Sequence, residues 1–144
     1  MKKPALWLRL ASIMTLLFAL GHTIGFSAPS AYANERVARH AMQTMSFDVA
    51  GTSVNYWGLY LGFGYSVGLF LALQSVLLWL TAGAAARNEK ASSALILAFL
   101  VCNVINMAFL LKYFFIVPQV LEGAIILFLM IALVTRRTAV GTAA

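Results

Sequence analysis

The chain has 144 residues, 62% of them hydrophobic and only 10% charged, with a mean hydropathy of +0.91 and a net charge of +6. A soluble domain carries roughly 25% charged residues, and a chain this short cannot hide such an apolar excess inside itself, so lipid is the expected solvent. The cations sit at the ends of apolar runs, which fits membrane topology and argues against nucleic-acid binding. A single cysteine, Cys102, excludes an intrachain disulfide and any C-x-x-C redox pair.

In chain order, the first apolar run extends from about Leu6 to Phe26, long enough as a helix to cross a hydrocarbon core. Lys2-Lys3 before it and Ala31-Tyr32-Ala33 after it imitate a secretory signal with an A-x-A cleavage site. Arg9 interrupts the run, however, and the run continues past His22, so a retained first helix is expected. Residues 28–54 follow as the one long connection. Within it, Ala38, Ala41, Met42 and Met45 share one helical face, with Arg36, Arg39, His40 and Gln43 opposite, and Glu35 can pair with Arg39 at i,i+4. That pattern predicts a short amphipathic helix on the membrane surface.

Three more spans are predicted, at about Tyr56 to Thr81, Ala94 to Phe115 and Pro118 to Thr135. Pro118 suits a helical first turn, where its missing N–H costs nothing, so the last two spans form a tight hairpin. The predicted fold class is thus all-α: a single membrane domain, a four-helix bundle with an amphipathic helix in its first, outer loop. With four spans, Lys2, Lys3, Arg9, Arg87, Lys90, Arg136 and Arg137 share one side, against Arg36, Arg39 and Lys112 on the other. The positive-inside rule then places both termini in the cytoplasm.

Gly21-His22-Thr23, the Phe47-Asp48 step, Tyr56-Trp57 and Tyr60-x-Gly62-Phe63-Gly64 resemble a family of small bacterial four-helix membrane proteins without an assigned activity. The resemblance extends from Trp7 to about Leu133. It implies a retained first helix and no reaction; a bacterial inner membrane is the expected location.

The second span carries Gly58, Gly62, Gly64 and Gly68, two G-x-x-x-G pairs; Gly21 and Gly25 make a third in the first span. Small residues let helices approach closely in lipid, so the second span is expected to be central, with Gly62 at a close approach. The same glycine-rich helix offers a route to a homo-oligomer.

Ionisable residues inside spans are expensive, about 2.5–3.5 kcal/mol for a central Arg, Lys or Asp on insertion scales. Arg9 can snorkel to its end of the helix. His22 and Glu122 lie deeper, and a polar interior near the outer leaflet is expected to join them to Tyr60 and Asn106. Asn103, Gln74 and Tyr56 are further candidates for ligand binding. One reading makes these residues interhelical glue, with Lys112 paired to Glu122 across the Pro118 turn. Another makes His22, Glu122 and Tyr60 a catalytic set, since imidazole, carboxyl and phenol are the groups from which proton transfer is built. A metal site is not expected, because the two histidines lack any ligand spacing, and no cofactor is implied.

The leading functional reading is an accessory membrane protein that holds a lipid-like or other apolar small molecule in an outer-leaflet polar cavity. The alternatives are a membrane enzyme of isomerase or cyclase type acting on a lipid-soluble substrate, and a homo-oligomeric small-molecule transporter.

Overall fold

A computed structural model describes residues 3–29 and 31–141, with side chains through residue 136; Lys2 and the Arg137 side chain lie outside the described residues. The element order is α1 (Lys3–Ser27), α2 (Ala33–Thr44), β1 (Ser46–Val49), β2 (Thr52–Asn55), α3 (Tyr56–Ala86), α4 (Ala91–Tyr113) and α5 (Ile116–Gly141). Four helices, α1, α3, α4 and α5, are long and apolar enough to cross a membrane. Their composition explains their length: apolar residues leave no polar competitor for the backbone, and the breaks come at polar or conformationally special residues. Asn88, at φ 61°, ends α3 in the left-handed region. The Asn88 amide donates to Ala85 O at 3.2 Å and the Glu89 amide to Ala84 O at 3.1 Å, which is a Schellman termination.

The chain divides into two compact units. The first comprises the start of α1 through Phe18 and everything from Leu71 onward. Here the four long helices form a helical bundle around Leu8, Ala11, Leu78, Ala82, Ile96, Ile125, Leu129 and Ala132. On α5 the buried positions are Glu122, Ile125, Leu129, Ala132 and Arg136, a 3-4-3-4 spacing that makes one continuous seam. Among the described side chains the seam therefore begins and ends on a charged residue. Reciprocal hydrogen bonds tie α1 to α3: Ser12 Oγ donates to Ser75 O at 2.7 Å, and Ser75 Oγ to Ser12 O at 2.9 Å. The outward faces stay apolar, and only 17% of the most hydrophobic window of α4 is buried.

The second unit runs from Ala19 to Phe70. It contains a feature absent from the all-α expectation. β1 and β2 form an antiparallel hairpin, with Phe47 opposite Val54 and Val49 opposite Thr52. Its two-residue turn, Ala50-Gly51, has positive φ at both positions (49° and 81°), as a type I′ turn requires. Asn55 then caps α3, accepting the Gly58 amide on Oδ1 at 2.7 Å.

The glycines correct a second expectation. A Cβ on Gly62 would meet nothing within 4 Å, and the same holds for Gly21 and Gly25. The close approach is at the other pair. A Cβ on Gly68 would sit 2.5 Å from Thr23 Oγ1, and one on Gly64 would sit 2.6 Å from the Phe26 ring. The Gly64/Gly68 side of α3 meets α1, and the Gly62 side is open.

Candidate functional site

The seven candidate residues fall into two groups. His22, Tyr56 and Tyr60 belong to the second unit; Gln74, Asn103, Asn106 and Glu122 belong to the first.

In the second unit, His22 is half-buried and turned toward α3. Its Nε2–H donates to Gly64 O at 3.0 Å, and because a carbonyl only accepts, this bond sets the proton on Nε2. The approach depends on Gly64 and Gly68, whose missing side chains let α1 come close. The imidazole lies 5.2 Å from the Phe26 ring, and Phe26 in turn meets Tyr60 edge-on at 6.0 Å and Tyr65 at 4.9 Å. Tyr60 stacks on Trp57 at 5.3 Å. Tyr56 is exposed and leans on Phe47 of the hairpin at 4.8 Å. The histidine is thus already engaged, at the edge of an aromatic cluster.

In the first unit the polar residues separate into satisfied and unsatisfied. Gln74 Nε2 donates to Asn103 Oδ1 at 3.0 Å, and Asn103 Nδ2 donates to Phe99 O at 2.7 Å. Both Asn103 groups are therefore taken, and the pair holds α3 to α4. Glu122 is different. It is fully buried, and although the Asn106 side chain turns toward the carboxyl, neither Oε has a hydrogen-bond partner by distance and angle among the described residues. The expected Lys112 pairing is not formed, because Lys112 Nζ instead lies over the Tyr113 ring at 5.0 Å. Lys112 lies on the exposed side of α4, and Glu122 faces the seam.

Several residues that organise the site escaped the sequence reading. Gln119 closes the α4–α5 turn, donating from Nε2 to Phe114 O at 2.9 Å and Leu110 O at 3.2 Å. At the other end of the α5 seam, Arg136 is only 2% exposed and reaches Glu89 O at 2.6 Å and Asn88 Oδ1 at 3.1 Å. It is a clamp on the α3–α4 connection. Arg9, expected to snorkel, places its guanidinium 5.0 Å from the Trp79 ring. The 3-4 spacing from Glu122 to Arg136 carried the signal for the buried arginine; the charge alone pointed to a solvated end.

Chemically, the first unit offers a carboxyl with two open acceptor oxygens beside an amide that can both donate and accept. A hydroxyl or amine on an otherwise apolar molecule is the complement of that arrangement. No known protein family, curated protein or solved structure matches this chain.

Proposed function

We propose that this chain is an integral membrane protein of the bacterial inner membrane, with both termini cytoplasmic, that binds a lipid-like or apolar small molecule through Glu122. Four membrane-length helices with apolar outward faces support the spanning reading, and the seven-to-three split of Lys and Arg supports the orientation. One observation carries the binding reading: Glu122 is buried in an apolar seam with only the Asn106 side chain turned toward it, and among the described residues neither carboxyl oxygen meets a donor at hydrogen-bond distance and angle. An unsatisfied buried polar group costs roughly 1–3 kcal/mol by mutational measures, and a ligand that donates to it recovers that cost. Asn106 beside it would accept from or donate to the same ligand head, and the apolar tail would share the lipid that surrounds the helices. An accessory role is favoured because the His22 imidazole is engaged with Gly64 O. Self-association would use the open Gly62 side of α3.

Native mass spectrometry of the chain released from mild detergent tests this. A bound small molecule of constant mass is expected on the wild-type chain and absent from Glu122→Gln, whose amide replaces one acceptor with a donor. Equal retention by both chains would place the ligand elsewhere.

A further inference from the structure

An amphipathic helix ordinarily turns its apolar stripe to its own protein and its polar side to water. Helix α2 does so only in part. Its half-buried positions are Arg39 and Met42, and Arg39 makes the attachment: its Nη2 donates to Ala28 O at 2.8 Å, and its guanidinium lies 4.6 Å from the Trp57 ring of α3. Across the helix from Arg39, Val37, Ala41 and, just past the helix end, Met45 form an exposed apolar stripe. No residue of α2 is buried, and Val37 is 71% and Met45 61% exposed. The stripe is left uncovered by the described residues.

Two features say what covers it. The tether from the end of α1 at Ser27 to the start of α2 at Ala33 is residues 28–32, which at about 3.3–3.6 Å per residue cannot carry α2 more than ~20 Å from the helix end. On its other side the hairpin runs into α3 with no linker, since Asn55 ends β2 and Tyr56 begins α3. Tyr56, Trp57 and Tyr60 at that end of α3 are the kind of aromatic residues that mark a membrane–water boundary. An apolar stripe held at that level faces the acyl boundary.

We infer that α2 is a membrane-surface anchor: its Val37–Ala41–Met45 stripe is immersed in the lipid of the adjoining leaflet, and Arg39 fastens its polar side to the protein. The inference rests on the spanning part of the proposed function and is independent of the ligand at Glu122.

The full chain is reconstituted in vesicles of phosphatidylcholine and phosphatidylglycerol. It carries a Cys102→Ala background and one environment-sensitive fluorophore at Val37→Cys, Gln43→Cys or Leu69→Cys. All three positions are exposed, so labelling leaves the fold intact. The Val37→Cys label is expected to be quenched by spin-labelled lipid and protected from aqueous iodide, and the Gln43→Cys label the reverse. A several-fold contrast between the two faces is the expected size, given immersion of about 5–10 Å. Leu69→Cys, in the body of α3, reports the span itself. Iodide quenching there would overturn the spanning reading and the anchor together. Lipid quenching at Leu69→Cys with iodide quenching at Val37→Cys would overturn the anchor alone. Protection of Val37→Cys from both quenchers would also overturn it, and a cross-linked dimer would then identify a second copy as the cover.

Discussion

At the residue scale, the polar side chains inside this apolar chain differ in whether their hydrogen bonds are satisfied. Ser12, Ser75, Gln74 and Asn103 bond one another or backbone carbonyls across helix pairs. Arg136 does the same for the α3–α4 connection with two side-chain nitrogens on three acceptors. Arg136→Gln should therefore loosen that connection. Charged hydrogen bonds contribute roughly 1.5–3 kcal/mol each, so a loss of about 2–3 kcal/mol is expected in reversible unfolding from detergent micelles. Cysteine accessibility at Lys90→Cys should rise with it, and unchanged stability and accessibility would mean that the clamp is idle. The burial of Glu122 was legible in sequence, because a carboxylate inside an apolar run has few alternatives. Its supposed pairing with Lys112 was not, because nearness across a turn leaves the rotation of each helix undetermined. That rotation is set by the seam, which turns Glu122 inward while Lys112 stays on the outer side of α4.

At the scale of elements, apolar run length located all four long helices. The helices extend beyond several of the apolar spans, because polar and small residues continue a helix once its apolar body is fixed: α3 runs on to Ala86 through Ala82-Gly83-Ala84-Ala85. The hairpin was missed for a different reason. Each strand is four residues long, and the alternation of Phe47 and Val49 with Asp48 is too short to compete with the surrounding helical signals. Its turn residue Ala50 also lacks the Asn or Gly that announces a type I′ turn. Two successive G-x-x-x-G patterns on α3 could not be ranked by spacing, and the structure gives the close approach to α1 at Gly64 and Gly68. Gly68→Leu is accordingly expected to destabilise the chain by about 1–3 kcal/mol, the usual cost of overpacking, and to disturb the His22–Gly64 contact. Gly62→Leu, facing open space, should leave the thermal midpoint unchanged or raise it, because leucine favours a helix over glycine. Equal losses from both substitutions would show that the Gly62 side also has a close neighbour.

At the scale of the whole molecule, composition alone raised the expectation of lipid as solvent, and among the described residues four helices are long and apolar enough to cross a membrane. The candidate site was legible only in part. Asn106 turns toward Glu122 and Gln74 bonds Asn103 in the first unit, while His22 and Tyr60 belong to the aromatic end of the second. What distinguishes a binding group from glue is whether its hydrogen bonds are already made, and spacing in a sequence carries no information about that. The distinction has a direct consequence for stability. Asn103→Leu leaves the Gln74 amide without its partner and should lower stability by about 1 kcal/mol. Glu122→Leu removes a buried carboxyl whose oxygens meet no donor at hydrogen-bond distance and angle among the described residues, and fills the seam with an apolar side chain of similar size, a change expected to be neutral or stabilising. The decisive measurement is therefore the thermal unfolding midpoint of ligand-stripped Glu122→Leu against stripped wild type and Asn103→Leu. The midpoint of Glu122→Leu should equal or exceed that of wild type while Asn103→Leu falls below it; a fall in Glu122→Leu as large as that in Asn103→Leu would show that Glu122 is structural glue and would remove the basis for a ligand there.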